Sequence, residues 1–416
     1  MLQVPAYYEY GCQVNVVAGH DVLESIPEIL ASLQAARPLI VTDRGVAGAG
    51  LIDVVAKALA GKVEIGGVAD DVPPDSSLDA VRRIADTYRR NGCDALIAVG
   101  GGSVLDTAKG VNIMVSEDAD DLMDYSGVGI LKRRLNPLIA IPTTAGTGSE
   151  TTLVAVIKDP ERHQKMFFLS YFLLPDAAVL DSRMTLTLPP AITAATAMDA
   201  LTHAMEAYTC LAKNPLSDAA ARSAIEMIAA NLLPVMEQPD HRDGRLALAV
   251  AATLAGMAFS NAMVGMVHSI GHALGAVCGI PHGTCMAILL PYGLEYNAHR
   301  NGHLTAELLF HLEGAETYAQ TPRAKRADRV IAAVRNLNQS LHAVTHGRHP
   351  RNLSEIVDAE GRPALSRDRF PEIVATAKND GTAVINPEEL DDEDYRMVLE
   401  HAWEGTPLDR RKIKCG

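Results

Sequence analysis

The stretch DALIAVGGGSVLDTAK, residues 94–109, decides the fold of this chain. Its first part, DALIAVG (94–100), is a short apolar run that the turn residues Asn91 and Gly92 introduce, and it predicts a buried strand. Gly100 at its end is followed by Gly101, Gly102 and Ser103, and these three glycines let the backbone turn tightly into a helix whose first amide groups stay uncovered. Because a helix N-terminus attracts anions, the stretch predicts a strand, a phosphate-binding loop and a helix in succession.

The residues of this loop also leave a simpler interpretation open. Ser103 and Asp106 have the spacing of a capping box, with Ser103 as the N-cap and Asp106 at the third helical position. The usual dinucleotide fingerprint would need glycine or alanine at position 105, where this chain has Leu105. A plain strand-to-helix turn is therefore the alternative to a binding loop.

Strand-like and helical stretches alternate on both sides of this unit. PLIVTD (38–43) and NPLIAIPTT (136–144) predict two more buried strands, and such alternation is typical of a parallel sheet with helices on its faces. Beyond Pro190 helical patterns dominate and strand-like runs almost vanish. We therefore predict an α/β fold with a Rossmann-like nucleotide-binding domain over residues 1–187 and an all-helical, metal-binding domain over residues 188–416.

A second polar loop strengthens the nucleotide hypothesis. IPTTAGTGSE (141–150) follows a predicted strand, and its hydroxyl groups are suitable donors for phosphate, ribose or a carboxamide. Loops at the carboxyl ends of parallel strands open onto the crevice where such sheets bind ligands. Asp43, which ends another strand, would accept hydrogen bonds from a ribose and repel a 2′-phosphate, so it favours NAD over NADP. A turn-forming aspartate is the alternative for Asp43.

Composition excludes several other classes of protein. Acidic residues outnumber basic ones 51 to 37 in the 416-residue chain, and the formal net charge of −14 disfavours nucleic acid and anionic membrane surfaces as partners. The six cysteines lie far apart and form no CxxC pair, which indicates reduced thiols in a cytoplasmic protein. The N-terminus lacks the features of a signal peptide. The apolar stretch 246–259 is too short for a membrane span and predicts a buried core helix.

Metal-ligating side chains recur at helical spacing in the second half of the chain. Asp199 and His203 stand four residues apart in an apolar helical stretch, so both lie on one face. His268 and His272 form a second pair of this kind, and His282 follows in GIPHGTC. Asp199, His203 and two of these three histidines would give a site of nitrogen and oxygen ligands, which suits Fe²⁺ or Zn²⁺.

These motifs together resemble those of the iron-containing, or group III, alcohol dehydrogenases. GGGSVLDTAK (100–109) and PTTAGTGSE (142–150) are similar to the two nucleotide loops of the family. MDALTHAMEAY (198–208), HSIGHALG (268–275) and IPHGTCMAILLP (280–291) are similar to its metal signatures. The resemblance covers nearly the whole chain and implies the two-domain fold that the family shares with dehydroquinate synthase.

The resemblance also implies roles for individual residues. It assigns a metal, Fe²⁺ or alternatively Zn²⁺, to Asp199, His203, His268 and His282, and it leaves His272 free near the nicotinamide. It implies that NAD is bound by a set of polar and glycine residues: Asp43, Gly101, Gly102, Ser103, Thr143, Thr144, Thr152 and Lys165. Asp106, at the predicted capping position after the glycine loop, is a further candidate for cofactor binding. A homodimer or larger homo-oligomer is a further implication.

The reaction expected from this assignment is reversible hydride transfer between NAD and a small primary alcohol or its aldehyde. The metal would act as a Lewis acid, and His272 is a candidate proton relay because imidazole titrates near neutrality. A structural hydrogen bond is the alternative role for His272. Rival functions are a lyase of the dehydroquinate synthase type and a polyol oxidoreductase resembling glycerol dehydrogenase. A nucleotide-binding protein with a degraded site would lack ligands that are present here.

The apolar neighbours of the metal signatures favour a small, uncharged alcohol over the charged substrate that a lyase of this type would need. These neighbours are Met198, Ala200, Leu201, Met266 and Ile270.

Overall fold

The computed structural model describes residues 4–159, 164–358 and 360–413, without the side chains of residues 164 and 165. The chain forms two compact units. The first comprises residues 11–188 and 240–256, and the second comprises residues 1–10, 189–239 and 257–416. A single cut in the sequence does not separate them, because residues 240–256 group with the first unit. Functional domains at 1–187 and 188–416 stay a prediction.

The first unit is built on a six-stranded sheet in the order β1-β9-β6-β4-β2-β3, in which every pair of neighbours is parallel. Its strands are β1 (Asn15–Gly19), β2 (Pro38–Val41), β3 (Gly67–Ala69), β4 (Ala95–Gly100), β6 (Leu138–Pro142) and β9 (Ala177–Asp181). A smaller sheet contains β5 (Gly127–Val128), β7 (Val154–Asp159) and β8 (Gln164–Leu169). The helices between the strands are α1 (Ile26–Ser32), α2 (Arg44–Gly48), α3 (Leu51–Leu59), α4 (Leu78–Arg90) and α5 (Gly102–Ser116).

The main sheet is covered on both faces. Every residue of β2, β4, β6 and β9 is buried. Along β4, Leu96 and Ala98 belong to one hydrophobic cluster, while Ile97 and Val99 belong to the other. Successive side chains of a strand point to opposite faces, so an unbroken apolar run is the pattern of a strand with helices on both sides. The predicted α/β class is confirmed.

The second unit is helical. It contains α6 (Pro190–Thr209), α7 (Pro215–Glu237), α9 (Met266–Cys278), α10 (His282–Gln320), α11 (Arg326–Val344), α12 (Phe370–Lys378) and α13 (Asp392–Glu404). In its described residues the only extended pairing is an isolated bridge between Val357 and Pro363. Pro190 opens α6, where its missing N–H is harmless, and every residue from Ala197 to Thr209 is buried. The functional residues of this helix therefore lie in its interior half.

The helix α8 (Arg242–Ala262) is longer than the sequence pattern indicated. With 21 residues it is the one helix in the described part of the chain that is long and apolar enough to cross a membrane by length and composition. The prediction that this stretch is too short was therefore wrong. Within the structure 61% of an apolar 18-residue segment of this helix is buried, and core helices of soluble proteins have the same length and composition.

Residues 240–256 join the first unit through a close approach of two glycines. Gly148 has a φ of +62°, and a Cβ at this position would lie 2.5 Å from the Cα of Gly256 and 2.8 Å from the carbonyl oxygen of Ala252. The hydroxyl of Thr151 donates a hydrogen bond to the carbonyl of Thr253 beside this contact. The second glycine-containing loop is thus anchored directly on α8.

We expect Gly148→Ala to lower the free energy of unfolding by about 2–5 kcal/mol, because left-handed strain and overpacking would add. Gly50→Ala is the matched control, since Gly50 has a φ of +76° and a Cβ added there would meet no atom within 4 Å. That control should lose only about 1–2 kcal/mol. Urea-induced unfolding measures both, and equal losses would show that the close approach contributes nothing.

Candidate metal centre and nucleotide loops

Four side chains of the helical unit converge on one point. Asp199 and His203 come from α6, His268 comes from the first turn of α9, and His282 is the first residue of α10. One potential ligand atom from each lies within 4.8 Å of the others, and all but His282 are buried. The structure thus brings together the four residues that the family resemblance assigned to a metal.

Local geometry explains how three helices reach one point. The four-residue spacing of Asp199 and His203 places both on the same face of α6. His282 arrives beside them because Gly283 lets α10 begin directly against α6. A Cβ at Gly283 would lie only 2.6 Å from the carbonyl oxygen of Ala195. The glycine that follows the histidine is therefore part of the site.

The donor set fits a divalent ion. Asp199 Oδ1 lies 3.2 Å from His282 Nε2 and 3.8 Å from His203 Nε2. Ligands at zinc-like bond lengths in a tetrahedron would be about 3.4 Å apart. His268 Nε2 is buried and makes no hydrogen bond among the described residues. Because a buried polar atom without a partner is costly, a shared cation accounts for this arrangement.

The electrostatics also favour the ligating protonation states. Burial lowers the pKa of His203 to about 3, and burial with the nearby His282 holds the pKa of His268 well below its usual value. Burial opposes ionisation of Asp199, but the surrounding imidazoles outweigh it and hold the pKa of that carboxyl well below its ordinary value. At neutral pH His203 and His268 therefore offer neutral imidazoles and Asp199 offers a carboxylate, the states that bind metal.

His272 lies one turn beyond His268 on α9 and differs from it in exposure. Its side chain is 42% exposed, and its ring stacks on that of His282 with centroids 5.3 Å apart. Its Nδ1 lies 2.8 Å from Asp380 Oδ2. Burial opposes ionisation of Asp380, but the hydrogen bond with His272 outweighs it and lowers the pKa of that carboxyl to about 2. The two form a His–Asp dyad at the edge of the metal cluster.

Sequence reasoning missed three residues of this region. Asp380 lies more than a hundred positions after His272 in the chain, so no spacing rule could connect them. Glu206 follows His203 by one helical turn and contacts His268, a signal that the i, i+3 spacing could have supplied. Phe259 stacks on His203 with ring centroids 4.2 Å apart and gives the cluster an apolar neighbour.

The apolar neighbours of the metal signatures, from which a small and uncharged substrate was predicted, are core residues. All five are at most 1% exposed, so they pack the helices together and form no open surface; they are Met198, Ala200, Leu201, Met266 and Ile270. These residues therefore give no support to the prediction of a small, uncharged substrate, which stays a prediction.

The first glycine loop begins its helix earlier than predicted. Gly101 is the N-cap of α5 and supplies no side-chain cap, so the predicted capping box with Ser103 as N-cap is wrong. Ser103 instead donates its hydroxyl to the carbonyl of Pro74. Asp106 accepts hydrogen bonds from Ser149 Oγ and the backbone N–H of Val156. Both oxygens of Asp106 thus have protein partners.

The two loops that the sequence singled out lie side by side. Thr143 donates its N–H to the carbonyl of Gly100, and a Cβ at Gly101 would lie 3.3 Å from Thr144 Oγ1. A Cβ at Gly102 would lie 3.0 Å from Thr147 Cγ2. Larger residues at these glycines would therefore displace the second loop. Ser103 and Asp106 also line a polar cavity next to this junction.

A buried lysine fastens the second loop to α5. Lys109 Nζ donates to Ser149 Oγ, to the carbonyls of Thr152 and Val154, and to Thr152 Oγ1. Burial lowers the pKa of Lys109 to about 8, although the nearby carboxylate of Asp106 acts to raise it. Thr152 is 3% exposed and faces this lysine. Its contacts in the structure are therefore internal to the network.

Two predicted cofactor residues remain, Asp43 and Lys165, and the structure describes the side chain of Asp43 only. Asp43 is the N-cap of α2, and its Oδ1 accepts the N–H of Val46 at 2.9 Å. The turn-forming role is thus present, and in the described part of the chain Oδ2 has no hydrogen-bond partner of its own. The side chain of Lys165 lies outside the described residues.

Comparison with known proteins gives two matched regions. Residues 14–182 match the family described as "Iron-containing alcohol dehydrogenase", and residues 193–403 match "Fe-containing alcohol dehydrogenase family, C-terminal". A solved structure of 1,3-propanediol oxidoreductase superposes with a TM-score of 0.89 at 32% identity, covering 95% of this chain and 100% of that chain. Both units thus have counterparts in one family.

Similar sequences have related names. The chain is 36% identical to "Alcohol dehydrogenase 4" of Schizosaccharomyces pombe over 322 residues. This alignment covers 77% of this chain and 75% of that protein. It is 33% identical to the 1,3-propanediol dehydrogenase of Klebsiella pneumoniae, with coverage of 92% and 96%. It is also 33% identical to the NAD-dependent methanol dehydrogenase of Bacillus methanolicus, with coverage of 89% and 94%.

Proposed function

This chain belongs to the iron-containing alcohol dehydrogenase family and is an alcohol dehydrogenase, and we propose that it transfers hydride reversibly between NAD and a small primary alcohol or its aldehyde. The resemblance inferred from the motifs is thereby confirmed. The family implies NAD and a divalent metal, usually iron. The observation that carries the proposal is the convergence of Asp199, His203, His268 and His282 within 4.8 Å.

Each part of the chain has a separate task in this proposal. A divalent ion held by the four ligands would supply Lewis acidity that favours loss of the hydroxyl proton of the substrate. Gly101, Gly102 and Ser103 of the first loop and Thr143 and Thr144 of the second loop would bind the dinucleotide. Asp106 and Thr152 would hold that loop junction in place through Ser149 and Lys109. Lys165 stays a proposed cofactor residue on the strength of the resemblance.

His272 is proposed to carry the hydroxyl proton away from the substrate. Its exposure gives it access to water, and Asp380 fixes its Nδ1 so that Nε2 remains for proton exchange. We also propose a cytoplasmic enzyme that works as a homodimer or larger homo-oligomer. The free thiols of the described cysteines, Cys12, Cys93, Cys210, Cys278 and Cys285, agree with a reducing compartment.

The first test is NADH formation from 1-butanol and 1,2-propanediol by metal-stripped protein to which Fe²⁺, Zn²⁺ or no metal is added. We expect activity only with a metal, and the more active ion identifies the working cofactor. Nucleotide binding without NADH formation under any metal would contradict the alcohol substrate. Activity in fully metal-free protein would contradict the role of the four ligands.

We expect Asp43→Ser to raise the ratio of kcat/KM with NADP to kcat/KM with NAD by at least about tenfold, because a charge that repels the 2′-phosphate is removed. Serine keeps an N-cap acceptor for Val46, so the helix should stay intact. Asp53→Ser is the matched control, since it removes an exposed acidic residue from the neighbouring helix α3. An unchanged ratio in Asp43→Ser would mean that Asp43 only caps α2.

His272→Gln should lower kcat by roughly 10²–10⁴-fold, the usual contribution of a positioned general acid or base. The metal content, measured by atomic emission, should match that of the unmodified protein because His272 is not a proposed ligand. A normal kcat with normal metal content would leave His272 with only its structural hydrogen bond to Asp380. Loss of the metal would instead place His272 among the ligands.

A further inference from the structure

Glu206 is a buried carboxylate that lies beside the four ligands without belonging to them. It follows Asp199 by seven residues and His203 by three, so it lies on the same face of α6. Its residue exposure is only 6%. Its Oε2 lies 2.5 Å from His268 Nδ1, and its Oε1 accepts the backbone N–H of Val267 at 2.9 Å. Glu206 therefore contacts both a ligand and the helix that carries it.

The contact with Glu206 determines which nitrogen of His268 is available. Burial raises the pKa of Glu206 to about 7, and the backbone N–H of Val267 that donates to Oε1 favours the ionised form. The ionised carboxylate only accepts hydrogen bonds, so Nδ1 of the neutral imidazole then carries the proton and Nε2 keeps its lone pair. The opposite tautomer would place an N–H on Nε2, which is buried and has no acceptor among the described residues. Such an unsatisfied donor is costly. The surroundings thus favour the tautomer that can bind a metal through Nε2.

The same carboxylate also takes part in starting α9. Gly265 is the N-cap of this helix and supplies no side-chain cap. The first free N–H groups are instead taken by Asn386 Oδ1, which accepts from Met266, and by Glu206, which accepts from Val267. A Cβ at Gly265 would lie 2.8 Å from Asn386 Oδ1 and 3.1 Å from Glu206 Oε1. The backbone therefore leaves room for both acceptors.

From these contacts we propose that Glu206 is a positioning residue of the metal centre: it fixes the metal-binding tautomer of His268 and holds the start of α9 against α6. The inference rests on the proposed metal-dependent function. Glu206 connects the helix that carries Asp199 and His203 to the helix that carries His268. Carboxylates that orient a ligating histidine in this way raise metal affinity by roughly 10–100-fold.

The competing explanation is that Glu206 merely caps α9. A cap would contribute to the stability of the fold and would leave the metal affinity of folded protein unchanged. The two explanations separate in Glu206→Gln, because glutamine keeps an oxygen acceptor for the N–H of Val267. Its amide also offers a donor, however, so it no longer enforces the Nδ1–H tautomer of His268.

The test is the affinity of metal-stripped full-length protein for Zn²⁺, measured by competition with a chromophoric chelator. We expect Glu206→Gln to weaken Zn²⁺ binding about 10–100-fold. Glu295→Gln is the matched control, because Glu295 is also a buried carboxylate of the helical unit and accepts from Arg335 and the N–H of Leu408. That control should bind Zn²⁺ within about threefold of the unmodified protein.

Equal affinities in Glu206→Gln and the unmodified protein would overturn the positioning role while leaving the metal-dependent function intact. Failure of the unmodified protein to bind any divalent metal would overturn both, so the two failures are distinguishable. A second measurement covers the case in which Glu206→Gln does not fold. Nitrogen-15 NMR of the metal-stripped unmodified protein, assigned with His268→Gln, should show the proton of His268 on Nδ1. A proton on Nε2 would overturn the proposal.

Discussion

The helical unit depends on the burial of one charge, the carboxylate of Asp199. Taking a carboxylate out of water is costly unless opposite charge or hydrogen-bond donors replace the lost hydration. Imidazoles from α6, α9 and α10 surround it, and they hold its pKa below the ordinary value although burial opposes this. Three helices must therefore meet at one point, and the close contact of Gly283 with Ala195 is one consequence.

The α/β unit also buries ionisable side chains at its second loop: Glu150 lies in the loop, and Lys109 reaches the loop from α5. Glu150 accepts the hydroxyl of Thr253 on α8, and burial raises its pKa. Lys109 donates to Ser149 of the same loop and to the carbonyls of Thr152 and Val154, which follow the loop in the chain. Because each charged group joins the loop to a different helix, the loop has partners on two sides. This network makes residues 240–256 part of the unit although they are distant in sequence.

The sequence predicts features that repeat at short spacing and fails where distant segments meet. The buried strands follow from apolar runs, and Asp199 with His203 follows from the helical period. Asp380 could not be inferred, because it lies in the segment after α12 while its partner His272 lies on α9, far away in the chain. The predicted N-cap, Ser103, lies two positions after the observed N-cap, Gly101, because the helix begins directly after that glycine. Such boundaries depend on packing between the loops, which no local pattern encodes.

The pair His268 and His272 illustrates how burial assigns different tasks to identical side chains. Both have Nδ1 next to a carboxylate, Glu206 for His268 and Asp380 for His272. In both residues Nε2 is therefore the nitrogen that remains for a further partner. Side-chain exposure is 3% for His268 and 42% for His272. A buried lone pair without a hydrogen-bond donor is suited to a cation, whereas an exposed one exchanges protons with water. One turn of helix thus separates a proposed ligand from a proposed proton carrier.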